Sequence, residues 1–97
     1  MKWPACRQAG IQVITMWYVY ILKSLTKGDF YKGLTDNIDR RLQQHFTGQV
    51  VSTKNKLPLK LIHVELCNSR IEARIMEKYF KSGFGREIIK ELAELHS

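Results

Sequence analysis

The stretch "WYVYILKS", Trp17–Ser24, is rich in aromatic and β-branched residues and contains no helix breaker. Such a run reads as a strand, with Tyr18–Lys23 as its centre, and a strand needs a partner for its backbone groups. The partner is close at hand. "LTKGD" supplies Gly28 and Asp29 as turn residues, and "FYKG" then begins a second short strand that Gly33 closes. Two strands this near in sequence are expected to pair as a hairpin.

The periodicity then changes. Thr35, Asp36 and Asn37 offer N-cap oxygens, and Asp39 puts negative charge in the first turn of a helix. Ile38, Leu42 and Phe46 recur at i, i+4, i+8, so that helix is expected to bury this stripe, with Gly48 ending it. "QVVSTKNKLPL" is a basic loop around Pro58, and "LKLIHVEL", Leu59–Leu66, is a third strand. Ser69-Arg70-Ile71-Glu72 has the form of a capping box and opens a helix running to about Lys81. Its expected buried stripe is Ile71, Ile75, Tyr79, Met76 and Phe80. Gly83 and Gly85 are expected to break the chain before a last short helix, Arg86 to Leu95. The order ββαβαα, in 97 residues, predicts one α+β domain. The leader "MKWPACRQAGIQVIT" fits this pattern poorly and has no long apolar core of a signal peptide, so residues 1–15 are expected to be an extension and 16–97 the domain.

Composition narrows the function. Sixteen Lys and Arg against nine Asp and Glu give a net charge of +7, which favours a polyanionic partner, nucleic acid first. No apolar run approaches the roughly 18–20 residues of a membrane span. Cys6 and Cys67 stand far apart with no Cys/His cluster near them, which argues against structural zinc and for a reduced, cytoplasmic protein. No Ser/His/Asp set is evident, and Gly28, Gly33 and Gly48 fit no phosphate-binding loop.

Helical geometry ranks the charged residues. At about 100° per residue from Ile38, Arg41 and His45 fall at about 300° and 340°, bordering the apolar stripe one turn apart. Arg40, at about 200°, looks like solvated surface. On the second helix Glu77 falls at about 240° from Ile71, beside Ala73 at the edge of the apolar arc. It could look into a cleft, or simply pair with Lys81 at i, i+4. Tyr20 and Tyr31 lie on two strands expected to pair, where a buried tyrosine usually packs and hydrogen-bonds its hydroxyl.

In order along the chain, "YVY" (Tyr18–Tyr20), "YKG" (Tyr31–Gly33), "LTDNIDRRLQQH", "GQVVSTKNKLPLKLIHVE" and "EARIMEKYFK" resemble the GIY-YIG nuclease domain over about residues 17–90. The set looks closest to small stand-alone bacterial members, the YhbQ-like group, which are similar to the nuclease domain of excision repair. The resemblance implies a three-stranded antiparallel sheet flanked by helices and metal-dependent hydrolysis of nucleic-acid phosphodiesters, with DNA in repair or processing as the expected setting. It places Tyr20 and Tyr31 at the two motif tyrosines, Arg41 at the catalytic arginine, His45 at a His-or-Tyr position and Glu77 at the metal-binding glutamate. Mg²⁺ or Mn²⁺ is the implied cofactor, since such an ion can use one carboxylate and keep several waters. The positive charge of a metal ion and an arginine together favours phenolate, so Tyr20 is the expected general base, with Tyr31 orienting water or phosphate. Lys32, Arg41, Lys54, Lys56 and Lys60 are candidates for nucleic-acid contact. Two departures stand out: Lys32 replaces the isoleucine of the second triplet, and "SGFGRE" offers no asparagine after the glutamate helix, leaving Arg86 as an uncertain substitute. The competing reading is a nucleic-acid-binding module with little or no catalysis.

Overall fold

The computed structural model describes residues 15–95. The expected extension, residues 1–15, lies outside the described residues but for Thr15, as does Cys6. The elements are β1 (Trp17–Ser24), β2 (Phe30–Thr35), α1 (Ile38–Phe46), a short 3₁₀ turn (Lys54–Lys56), β3 (Leu59–Cys67), α2 (Arg70–Lys81) and α3 (Gly83–Leu95). The fold class is α+β, as expected. β1 is the central strand of an antiparallel sheet ordered β2-β1-β3.

Alternation along β1 divides the molecule. Val19 and Ile21 enter the main core with Ile62, Ala73, Phe80 and Ile89, under α2 and α3. Tyr20 and Leu22, also fully buried, point to the opposite face. β2 does not close at Gly33 but runs on to Thr35. Gly33 pairs with Tyr20, and a Cβ there would collide with the Tyr20 hydroxyl and ring. The glycine is there to admit a ring, not to end a strand.

α1 begins where expected: the Asn37 side chain accepts from the Arg40 N–H at 3.1 Å. Its buried side is not the expected stripe. Phe46 is 42% exposed, while His45 is fully buried. Buried polar partners for the His45 ring set the roll of the helix, and Phe46 is turned out towards Leu57, Pro58 and Leu59. In α2, Ser69 caps as predicted, accepting from Glu72 N–H at 3.1 Å, while the Glu72 carboxylate accepts from Asn68 N–H, one residue before the cap. The expected stripe is again rotated. Ile71 and Ile75 are exposed, and Ala73 and Phe80 are buried with Met76 partly so. An apolar arc about 200° wide cannot all meet one sheet; small Ala73 lets the backbone come close and sets which half faces in. α3 starts at Gly83, not Arg86, so both glycines lie inside its first turn. The Ser82 hydroxyl accepts from Gly85 N–H at 3.1 Å, and a Cβ on Gly85 would strike the Tyr79 carbonyl and the Phe80 backbone. The tight α2–α3 corner, not a break, explains that glycine.

Candidate active site

The face of the sheet away from α2 carries a linked set of polar side chains. Tyr20 and Tyr31 stand diagonally on paired strands with ring centroids 6.2 Å apart. α1 brings His45 between them, its ring centroid 4.9 Å from Tyr31 and 5.4 Å from Tyr20. The Tyr20 hydroxyl lies 2.9 Å from His45 Nε2, and Arg41 Nε donates to that same oxygen at 3.3 Å. Arg41 Nη1 donates to Gln44 Oε1 at 3.2 Å. On the far side of the imidazole, Nδ1 lies 2.8 Å from the Thr53 hydroxyl, itself fully buried.

One end of this chain of hydrogen bonds has a fixed direction. Arg41 can only donate, so the Tyr20 oxygen accepts from it, and the imidazole tautomer decides which of Tyr20 and His45 Nε2 donates in the other contact. With its proton on Nδ1, His45 donates to Thr53 and leaves Nε2 to accept from Tyr20. Burial, with Arg41 adding to it, lowers the His45 pKa to about 4, so the ring is neutral near pH 7. Thr53 lies within the "GQVVSTKNKLPLKLIHVE" stretch but is not among the candidate site residues. It stands at the foot of a basic loop, eight residues after His45, but nothing in the linear pattern shows that the loop folds back.

Arg41 alone does not favour phenolate at Tyr20. Burial pushes the Tyr20 hydroxyl above the usual phenol range and outweighs the hydrogen bond from Arg41. That hydrogen bond in turn raises the Arg41 guanidinium.

Glu77 is not joined to this cluster. It rides on α2, and its carboxylate, 14% exposed, meets Lys81 at 3.4 Å and Arg74 at 3.9 Å. The i, i+4 pair that its spacing allows is therefore formed. Among the described residues no group of three His, Cys, Asp or Glu could cage a metal ion. Glu77 is a single carboxylate, so an ion held there would have to keep most of its waters and take further oxygens from a phosphate.

The lysines divide. Lys32 alternates with Tyr31 and shares the α2 face, where burial and the charges of Arg86 and Lys81 lower its pKa. It stands outside the tyrosine cluster, on the side of Arg86. Lys56 is paired with Asp29 at 2.6 Å, which holds that carboxyl below its usual range. Lys54 is exposed on the 3₁₀ turn, and Lys60 opens β3 opposite Lys23. Arg40 is exposed as expected, yet it shares with Arg41 the wall of a surface hollow.

Comparison with known proteins agrees with this architecture. Residues 16–90 match the family model described as the GIY-YIG catalytic domain. A UPF0213 protein of Streptococcus agalactiae is 40% identical over 65 residues, covering 66% of this chain and 73% of its own. A UPF0213 protein of Limosilactobacillus reuteri is 36% identical over 81 residues, covering 80% and 83%. The solution NMR structure of a UPF0213 protein from Bacillus halodurans superposes with a TM-score of 0.50 at 31% identity, over 79% of this chain and 84% of that one. No helix among the described residues is long and apolar enough to cross a membrane. With the sheet order, the paired tyrosines and the arginine helix in place, the chain belongs to the GIY-YIG family of nuclease domains.

Proposed function

We propose that this protein is a metal-dependent endonuclease that hydrolyses phosphodiester bonds of nucleic acid, DNA first, in cytoplasmic repair or processing. The observation that carries the reading is the convergence of Tyr20, Tyr31, Arg41 and His45 from three elements onto one face of the sheet. Arg41 is a fixed positive charge on the cluster and serves to stabilise the negative charge that grows on phosphorus oxygens in the transition state. Free phenolate is disfavoured here, so Tyr20 works as a relay. Its oxygen takes a proton from the attacking water while its own proton passes to neutral His45 Nε2. Thr53 holds the tautomer that leaves Nε2 open. Tyr31 forms the wall that orients water and phosphate. Glu77 is the carboxylate available to a divalent ion, Mg²⁺ or Mn²⁺; when bound, such an ion supplies Lewis-acid stabilisation of the leaving oxygen.

The test is a cleavage panel of plasmid, single-stranded and branched DNA and of RNA, with Mg²⁺ or Mn²⁺. The intact protein should nick at least one substrate, and Arg41→Ala and Glu77→Ala should each abolish nicking. Nicking unchanged in both variants refutes the assignment. A second reading, a nucleic-acid-binding module, draws on one observation: the Glu77 carboxylate is already engaged by Arg74 and Lys81. Salt-sensitive binding without cleavage in any metal would favour it.

A further inference from the structure

Beside the tyrosine cluster, where β2 hands over to α1 and α2 begins, the surface forms a hollow of about 500 Å³. That falls within the roughly 300–1,000 Å³ of small-molecule sites. Its wall includes Trp17, Asp36, Arg40, Arg41 and Arg70, from four different segments. Three arginines against one aspartate leave the hollow positive. Among the described residues neither Arg40 nor Arg70 has an ion-pair partner. Their charges are not spent within the fold. The Arg70 guanidinium instead lies over the Trp17 ring, 5.8 Å from its centroid. Arg41 belongs to both places, donating to Tyr20 on one side and lining the hollow on the other.

We infer that this hollow holds one unpaired nucleotide of a single-stranded nucleic acid, next to the phosphate presented to Arg41. The inference rests on the nucleic-acid reading above and adds the substrate form. Arg40 and Arg41 hold the phosphate at the rim. The base stacks on the Trp17–Arg70 wall, since aromatic rings and guanidinium planes are the usual platforms for unstacked bases. Asp36 would repel a phosphate, so the phosphate stays on the arginine side; its carboxylate can accept from a base amino group, as acidic side chains do with cytosine. Bases in a continuous duplex cannot enter such a recess, so single-stranded or frayed nucleic acid is the form selected.

The test uses binding, not cleavage. The full chain has two tryptophans, Trp3 and Trp17, so a Trp3→Phe protein reports Trp17 fluorescence alone. Short single-stranded cytidine oligomers of DNA and of RNA, and a duplex of equal length, are titrated without metal. The single strands should quench Trp17 and the duplex should not; the DNA and RNA arms tell which sugar is preferred. Arg70→Ala should weaken single-strand binding about tenfold, and Arg40→Ala should lower the salt slope by about 0.7, one phosphate contact. Arg70→Lys should keep the slope and still lose affinity, because it keeps charge and loses the plane. Unchanged affinity in Arg70→Ala, or equal quenching by duplex, overturns the inference. These outcomes are separate from those for nuclease activity. Nicking that Arg41→Ala abolishes, with Arg70→Ala binding normally, keeps the nuclease and removes the pocket. Weakened binding in Arg70→Ala, with no cleavage by any form of the protein, does the reverse.

Discussion

Lowering the pH should destabilise this protein through His45. In the folded state the ring is buried against Tyr20, Thr53 and Arg41, with a pKa of about 4; in the unfolded chain it returns to about 6.5. Between those values the unfolded state binds the extra proton, so stability rises with pH across the window. The contribution is therefore complete above pH about 6.5 and is lost as pH falls towards 4. A separation of about 2.5 units, at 1.36 kcal/mol each, sets a limit of about 3 kcal/mol, of which about 2 is gone by pH 5. That is a large part of the 5–15 kcal/mol typical of a domain. The assay is urea unfolding followed by circular dichroism at several pH values between 7.5 and 4.5, on the wild type and on His45→Gln. Glutamine can hydrogen-bond but cannot titrate. The variant should be less stable at pH 7.5 and nearly flat in the window. His63, 2.8 Å from the Glu65 carboxylate, is common to both proteins and cancels in the difference. A wild-type curve flat from pH 7 to 5, or a His45→Gln curve that falls in parallel with it, refutes the assignment of a neutral buried imidazole.

Three other outcomes can be checked. Thr53→Val should cost about 1–3 kcal/mol by leaving the His45 Nδ1–H buried without an acceptor, and Thr53→Ser should restore most of it in the same unfolding assay. Gly33→Ala should destabilise by about 1–3 kcal/mol, because its methyl meets the Tyr20 ring, and should lower nicking with it. Chelation with EDTA should stop nicking without shifting the midpoint of thermal unfolding, since among the described residues no metal cage holds the fold together.

The strands and helices are legible in the sequence because their periods are local: alternation in Trp17–Ser24, caps at Asn37 and Ser69, and the spacing of Tyr20, Tyr31 and Arg41. Helix roll is not. Ile71 and Ile75 look as apolar as Met76 and Phe80, and only the close approach that Ala73 permits decides which pair faces the sheet. The same blindness hides His45, because an apolar stripe cannot show that the inward position is a buried imidazole with two hydrogen-bond partners. Thr53 and Arg70 escape a linear reading because their relation to the site is made by chain segments distant in sequence. Glu77 falls correctly at the border of the core, yet a helical wheel does not say which face of the sheet that border serves.

Register in the β1–β2 hairpin is guarded by a side chain that is not there. Tyr20 faces Gly33 across the pair, and the missing side chain is the space its ring occupies. A slip of two residues would keep every side chain on its proper face, so hydrophobic patterning alone does not forbid it. It would, however, set Tyr20 against Tyr31 or Thr35, where that space is already filled. The hairpin thus carries its own proofreading: the one alignment that seats the ring is also the one that presents the hydroxyl to Arg41 and His45.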